Sequence, residues 1–235
     1  MKMKRNEKLG MLTGLVVGVL LLLISVFMIF QTTCKVWGAE KPANATQQGI
    51  DVSSHQGKID WEQVKNSALA DYAIIRCGYG VNQTDKDDKY WDYNSSECER
   101  LGIPYGTYLY SGADTTAKAR SEAEHVVRLL QGKNLTYPIY YDMEADMLNQ
   151  LSSTQIGNIA KTFLNTMESY GYKNVAVYSN KYLFETKLTA SVFSDYPKWI
   201  AQHSNKCTYR GSYHMWQYST QGVIPGISEK VDLNY

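Results

Sequence analysis

Several common signatures of function are missing from this 235-residue chain. Its formal net charge is only +1, so the composition gives no argument for nucleic acid as a partner, and we expect none. The four histidines contain no H-x-x-x-H pair, and the four cysteines fit no zinc-binding spacing such as C-x-x-C. We therefore expect neither a metal nor another cofactor.

The cysteines also constrain the fold weakly. Cys34 lies beside a long apolar segment, which leaves Cys77, Cys98 and Cys207 for the rest of the chain. These three can form at most one disulfide among themselves, and one thiol would stay free. Cys77 lies in an apolar run, so we expect it to be a small buried side chain.

Charged residues are absent from Leu9–Cys34, and residues 1–8 before it are basic. About 20 apolar residues span a bilayer as a helix, whereas the apolar part of a secretory signal is usually about 7–15 residues long. We therefore expect residues 1–8 to be a cytoplasmic tail and 9–34 an uncleaved signal-anchor, with the following chain extracytoplasmic and membrane-anchored. The alternative is a signal peptide cut near Val36–Ala39, after which the chain would be secreted. Residues 35–48 are predicted to be a linker.

After this linker, strand-like and helix-like patterns alternate. Helices are expected from Asp60 or Trp61 and over Tyr90–Leu101, Thr115–Leu130, Ser152–Tyr170 and Lys181–Lys187. The expected N-caps of the third and fourth are Asp114 or Thr115 and Ser152 or Ser153, and Gly102 is expected to end the second. Strands are expected over Gly49–Ser53, Tyr72–Cys77, Ile103–Tyr110, Tyr137–Asp142, Asn174–Tyr178, Lys198–Ala201, Tyr213–Tyr218 and Val231–Asn234. Five β–α units followed by three strands predict an α/β fold, an irregular TIM-like barrel over residues 49–235.

Four acidic residues lie at or near the ends of these strands. Asp142 and Glu144 follow the run Y-P-I-Y-Y, and positions two apart on a strand point to the same side. Asp51 and Asp232 lie on the first and last strands, which are neighbours in a closed barrel. Because such barrels place their active sites at the C-terminal ends of the strands, we expect the four carboxylates to converge. Two close carboxylates are what hydrolysis of a glycosidic bond requires, although a salt-bridged strand end is the alternative for Asp142 and Glu144.

A series of motifs along residues 49–234 carries a resemblance to a known family. They are G-I-D-V-S-S-H-Q-G-K-I-D-W, A-I-I-R-C-G-Y-G, D-K-Y-W-D-Y-N, G-I-P-Y-G-T-Y-L-Y-S, P-I-Y-Y-D-M-E, V-A-V-Y-S-N, W-I-A-Q, M-W-Q-Y-S and V-D-L-N. In order and spacing the chain resembles the glycoside hydrolase family 25 lysozymes, the Chalaropsis-type muramidases. The resemblance implies a (β/α)5β3 barrel that cleaves the β-1,4 bond between N-acetylmuramic acid and N-acetylglucosamine in peptidoglycan.

The resemblance also implies roles for the four acids. Glu144 resembles the general acid of the family, and repulsion from Asp142 would raise its pKa. Asp142 resembles the first acid of the family's D-x-E motif, which either attacks the sugar or orients its 2-acetamido group as the nucleophile. Asp51 and Asp232 resemble the two other acids that line the cleft. We therefore expect all four to be catalytic.

Six further residues near strand ends match family positions around the cleft. As a group they are expected to bind substrate, although core packing is an alternative for each: Tyr110, Tyr141, Tyr178, Trp199, Trp216 and Gln217. Arg76 lies in a buried strand and must be paired, and we expect one of the cleft acids as its partner. His55 either faces the cleft or bonds to the backbone of its loop.

The resemblance implies that the partners include the glycan strands of peptidoglycan. We also expect a membrane as a partner, through the N-terminal segment, and a monomer. Three other functions stay open from the sequence. The first is a non-catalytic peptidoglycan-binding protein on the same barrel, and the second is a chitinase-like glycosidase. The third is a metal-dependent polysaccharide deacetylase, against which the histidine spacing argues.

Overall fold

Eight strands close a barrel in the part of the chain that the computed structural model describes, residues 39–235. Strands β1 to β7 pair in parallel in chain order, and β8 pairs antiparallel with both β7 and β1. The strands are β1 Gly49–Val52, β2 Tyr72–Tyr79, β3 Tyr105–Tyr110, β4 Ile139–Asp142, β5 Val175–Asn180, β6 Lys198–Ala201, β7 Met215–Gly222 and β8 Val231–Asn234.

Helices follow each of the first five strands. They are α1 Trp61–Ser67, α2 Trp91–Leu101, α3 Thr116–Leu129, α4 Ser153–Ser169, α5 Lys181–Thr186 and the short α6 Val192–Asp195. Single 3-10 turns cover Ser54–Gln56, Thr84–Lys86 and Asp146–Gln150. Within the described residues no helix separates β6, β7 and β8, so the predicted closed barrel of five β–α units and three strands is confirmed.

The helix ends follow from local side-chain chemistry. Thr115 caps α3 by accepting a hydrogen bond from the Lys118 amide, and Ser152 forms a reciprocal capping box with Gln155 at the start of α4. Gly102 ends α2 with φ +66°, a left-handed conformation that costs glycine little. These caps are among those predicted from the sequence.

β3 and β4 begin later than predicted because each is preceded by a proline. β3 begins at Tyr105 after Pro104, and β4 begins at Ile139 after Pro138. Proline has no amide hydrogen to donate to a strand ladder, although its carbonyl can still accept. β7 is longer than predicted and extends to Gly222.

The interior of the barrel is filled by a cluster that consists mainly of large apolar and aromatic side chains. The buried cluster there comprises Tyr72, Ile74, Tyr140, Ala176, Tyr178, Trp199, Ala201 and Met215. A Cβ at Gly106 would lie 2.6 Å from the Pro138 carbonyl oxygen, so glycine permits the close approach of β3 to the chain entering β4. Each buried aromatic side chain contributes roughly 1.5–3 kcal/mol to the free energy of unfolding, so this cluster is the solid core of the barrel.

Some of the predictions fall outside residues 39–235. The predicted tail 1–8, the predicted anchor 9–34, Cys34 and the first part of the predicted linker 35–48 lie outside the described residues. Within residues 39–235, no helix is both long and apolar enough to cross a membrane. Cys77, Cys98 and Cys207 are free thiols, and Cys77 is buried as predicted.

Candidate active site

Asp51 and Asp232 lie side by side where the first and last strands meet. Their Cα atoms are register partners in the antiparallel pairing of β1 with β8, which confirms the predicted closeness. Burial is the first cause that raises the pKa of Asp51, and the charge of Asp232 is the second. Burial likewise raises the pKa of Asp232 to about 6, while a hydrogen bond with the Asp51 carboxyl opposes the shift. The two carboxyl groups therefore form one titrating pair.

Asp142 ends β4 and points into the same end of the barrel. It is only 3% exposed, and burial raises its pKa well above the usual range. The charges of Glu144 and Asp51 raise the pKa further, and the charge of Arg76 opposes them. Since charges act strongly only at short range inside a protein, the carboxylates of β1 and β4 share one region.

One oxygen of Asp142 has no protein partner among the described residues. Oδ1 is buried and accepts no hydrogen bond there. A buried acceptor without a donor costs about 1–3 kcal/mol, and such groups are rare in folded proteins. This oxygen is therefore available to a donor that arrives from outside the protein.

Glu144 lies two residues beyond Asp142 and is less buried. Burial raises its pKa, while the Tyr178 hydroxyl and the charge of His203 oppose the shift. Repulsion from Asp142 was predicted as the cause, but burial is the main cause at Glu144, and the repulsion is seen in the pKa of Asp142. Glu144 is thus the more accessible of the two acids and holds its proton to a higher pH than an ordinary glutamate.

The side-chain amide of Gln217 connects both halves of this cluster. Its Nε2 donates to Asp51 at 3.0 Å and to Asp232 at 3.3 Å. Its Oε1 accepts from the Tyr178 hydroxyl at 3.0 Å and lies 3.0 Å from His203 Nε2. Because both ends of the amide are occupied by protein groups, Gln217 fixes the positions of the acids.

A second amide supports Asp51 from below. Asn234 Nδ2 donates to Asp51 at 2.8 Å, and Trp199 Nε1 donates to Asn234 Oδ1 at 2.8 Å. Both groups are buried. The floor of the site is therefore a fixed set of hydrogen bonds, which is what preorganised electrostatic stabilisation requires.

A family model agrees with this arrangement. The model described as "Glycosyl hydrolases family 25" matches residues 50–227. The chain belongs to glycosyl hydrolase family 25.

Individual relatives are similar over most of this chain. The autolytic lysozyme of Clostridium acetobutylicum is 30% identical over 188 residues, which is 80% of this chain and 55% of that protein. The uncharacterized protein YegX of Escherichia coli K12 is 27% identical over 199 residues, 82% of this chain and 70% of that protein. A solved structure that is similar to this chain is that of the modular autolysin LytC of Streptococcus pneumoniae in complex with a synthetic peptidoglycan ligand. The two chains are 33% identical with a TM-score of 0.71, and the match covers 80% of this chain and 46% of LytC. The chain thus spans about half the length of both autolysins.

Four of the six residues predicted to bind substrate face the interior of this family 25 barrel, and one of them is Gln217, described above. Tyr110 is half-buried, and after burial the charges of Asp142 and Glu144 raise its pKa, which places it beside the acids. Tyr178 lies against the ring of Trp199, with 4.4 Å between ring centroids. Trp199 is 1% exposed, so it is part of the core beneath the site.

Tyr141 and Trp216 lie on the outer faces of their strands, which corrects their predicted placement at the cleft. The Tyr141 hydroxyl donates to the buried Glu122 at 2.6 Å, and its ring stacks on Phe163 of α4. Trp216 Nε1 donates to the Gln202 carbonyl at 2.8 Å. Each is one position away from an inward-facing residue, Asp142 or Gln217, and neighbours on a strand point to opposite faces. Both residues pack the outside of the barrel.

Arg76 also differs from its prediction, since its partner is not one of the four acids. Its Nε lies 2.8 Å from Asp88, and its Nη2 donates to Ser54 at 2.9 Å. The Ser54 amide also donates to Asp88 at 2.9 Å. Arg76 therefore connects the loops after β1 and β2. His55 is exposed, and its backbone amide donates to the Ser53 hydroxyl.

His203 and Asn234 belong to the site but were missed from the sequence. His203 follows the W-I-A-Q motif at the end of β6, and Asn234 ends the V-D-L-N motif. Their positions after or within strand motifs were the available signal. Among residues 39–235, no three His, Cys, Asp or Glu side chains are grouped so that they could hold a metal ion.

Proposed function

We propose that this chain is a lysozyme that cleaves the β-1,4 bond between N-acetylmuramic acid and N-acetylglucosamine in peptidoglycan. The observation that carries the proposal is the buried, unpartnered Oδ1 of Asp142 beside Glu144 in a cluster of four carboxylates. Membership of family 25 and the similarity to two autolysins support the same substrate.

Glu144 acts as the general acid. It is the more exposed acid of β4, and its raised pKa keeps it protonated at a pH where an ordinary glutamate is ionised. It donates this proton to the glycosidic oxygen as the bond to the leaving sugar breaks. A general acid of this kind contributes about 10²–10⁴-fold to the rate.

Asp142 assists by holding the 2-acetamido group of the sugar. Its Oδ1 accepts the N–H of the 2-acetamido group of the sugar, which supplies the donor that the protein lacks there. A hydrogen bond to the charged form of a carboxyl group lowers its pKa, so binding of the sugar favours ionised Asp142. The ionised carboxylate then orients the acetamido group so that its carbonyl oxygen attacks the anomeric carbon as the bond to the leaving sugar breaks. Water, which gives a proton to the now ionised Glu144, adds to the anomeric carbon and opens the cyclic intermediate, which completes the hydrolysis.

Asp51 and Asp232 hold further negative charge along the cleft. Gln217 donates to both, and Asn234 donates to Asp51. Because Asp51 and Asp232 titrate as a pair, one carboxyl group of the pair loses its proton only at higher pH in the empty site. This limits the repulsion among the four neighbouring carboxyl groups. The pair thereby stabilises an oxocarbenium-like transition state without large rearrangement.

We further propose that the barrel acts outside the cytoplasm as a monomer on peptidoglycan strands, held at the membrane by residues 9–34. The support is the uncharged, apolar character of that segment and the basic residues before it. Protease added to intact spheroplasts should digest the barrel while the protein sediments with membranes. Protection from the protease would contradict the orientation.

Product analysis by mass spectrometry tests the proposed activity. Purified full-length protein should convert peptidoglycan into fragments with muramic acid at the reducing end. Fragments with N-acetylglucosamine at the reducing end, or faster cleavage of chitin oligomers, would favour a chitinase-like glycosidase. Binding to peptidoglycan without new reducing ends would favour a non-catalytic binding protein, and release of acetate would favour a deacetylase.

A further inference from the structure

Tyr108 of β3 lies inside the barrel, directly beneath the cluster of acids. Its Cα is the register partner of Tyr140 on β4, and its ring meets Trp199 edge-on with 6.2 Å between centroids. Tyr140 is 0% exposed and Tyr178 is 7% exposed, whereas Tyr108 is only partly buried. Of these three interior tyrosines, Tyr108 therefore has the most open path to the cleft.

The surroundings of Tyr108 place its hydroxyl among the acids. Burial raises the pKa of its phenol, and the charges of Asp51, Asp142 and Asp232 raise it further against the opposing charge of Arg76. The phenol thus stays protonated and can donate a hydrogen bond at any ordinary pH. Among the described residues, no side-chain or backbone acceptor takes that hydrogen bond.

Two other donors near the floor of the cleft, Tyr178 and Arg76, are occupied by protein acceptors. The Tyr178 hydroxyl donates to Gln217, and the guanidinium of Arg76 donates to Asp88 and Ser54. The cleft is rich in carboxylate acceptors, so a sugar that binds there can place its own donors easily. Its acceptors need a protein donor, and the Tyr108 hydroxyl is suited to that.

We propose that Tyr108 is a further substrate-binding residue whose hydroxyl donates to the carbonyl oxygen of the 2-acetamido group held by Asp142. This inference rests on the proposed function. An acetamido group offers one N–H donor and one carbonyl acceptor. Asp142 supplies the acceptor and Tyr108 the donor, from the inner faces of the adjacent strands β3 and β4. The two residues together select N-acetylated sugars.

The test compares Tyr108→Phe with the matched control Tyr140→Phe in the full-length protein. Both variants remove one interior hydroxyl, but the Tyr140 hydroxyl is fully buried without a partner among the described residues. Calorimetry measures binding of an N-acetylglucosamine oligomer and of a β-1,4-glucose oligomer, which lacks the acetamido group. Tyr108→Phe should weaken binding of the N-acetylated oligomer by about tenfold, as expected for one hydrogen bond, and leave binding of the glucose oligomer unchanged.

Tyr140→Phe should bind both oligomers as the wild type does, and both variants should keep the wild-type melting temperature. The inference is overturned if Tyr108→Phe weakens binding of both oligomers equally or changes binding of neither. It is also overturned if the wild-type protein binds neither oligomer. The proposed function is judged separately. If the wild type binds as expected but releases no muramic acid ends, lysozyme activity fails and the Tyr108 contact stands.

Discussion

Two groups of acidic residues lie at the C-terminal end of the barrel in opposite electrostatic surroundings. The paired acids, Asp87 and Asp88, follow β2 and contact basic side chains: Arg128 lies 2.6 Å and His125 2.7 Å from Asp87, and Arg76 lies 2.8 Å from Asp88. The site acids are Asp51, Asp142, Glu144 and Asp232, which form no ion pair with any residue in 39–235.

The pKa values follow this difference. Burial alone would raise the pKa of Asp87, but hydrogen bonds from Arg128 and His125 lower it below the usual range. Burial raises the pKa of all four site acids, and no cation cancels the shift. The paired acids therefore stabilise the loop after β2, whereas the site acids hold their protons to higher pH than usual and include one vacant acceptor, Asp142 Oδ1.

The largest effect should come from Asp142→Asn, which changes a site acid without changing its size. Activity on peptidoglycan should fall by about 10²–10⁴-fold. The free energy of unfolding should stay the same or rise by about 1 kcal/mol, because a buried acid with like-charged neighbours is removed. Kinetics and urea unfolding measure the two quantities, with Asp146→Asn as the exposed neighbouring control. If Asp142→Asn lowers the free energy of unfolding but leaves activity unchanged, Asp142 stabilises the fold and does not belong with the site acids.

Asp87→Ala should have the opposite outcome. The fully buried His125 and the partly buried Arg128 would lose their carboxylate, which should cost about 2–3 kcal/mol of unfolding free energy. Activity per folded molecule should change little. The exposed neighbour Asp85 provides the control Asp85→Ala, which should stay within about 0.5 kcal/mol of the wild type. If both alanine variants unfold at the same urea concentration, the paired acids do not stabilise the loop.

A smaller effect should appear in the pH dependence of stability. The folded pKa of Asp232 is raised to about 6, so its contribution is fully present below the unfolded value of about 3.9 and is lost as pH rises through 6. Asp87 has a lowered pKa, so its contribution is present above the unfolded value and is lost as pH falls through the folded value.

Unfolding free energies from pH 3 to 8 check both signs. Asp232→Asn should remove a decline of roughly 1–2 kcal/mol between about pH 4 and 6, after allowance for its partial exposure. Asp87→Asn should instead remove a rise in stability that begins at lower pH. Identical pH profiles for the two variants would show that the two groups are not electrostatically distinct.

Much of the fold was predictable because it depends on local patterns. β6 and β8 have the predicted bounds, and the caps Thr115 and Ser152 were among the predicted candidates. The convergence of the four acids also followed from strand order, since β1 and β8 must meet when the barrel closes. Asp232 nevertheless comes from the first half of its strand, because β8 runs antiparallel and the sequence did not show that direction.

What the sequence could not show was the direction and partner of individual side chains. Tyr141 and Trp216 are aromatic, as Tyr178 and Trp199 are. Each of the first two lies one strand position away from an inward-facing residue, so its side chain points to the outer face of the barrel. The partner of Arg76 could not be identified because Asp88 lies in a polar loop with several other acids. Such contacts depend on tertiary packing, for which one sequence carries no periodic signal.

The most direct test of the central claim is reducing-sugar release from peptidoglycan by Glu144→Gln, compared with the wild type and with Asp146→Asn. Glutamine keeps the shape of Glu144 but cannot donate the proton, so release should fall by at least about 10²-fold while folding is unchanged. Asp146→Asn should release sugar at the wild-type rate. Wild-type release by folded Glu144→Gln would contradict the claim that this cluster of carboxylates is the catalytic centre.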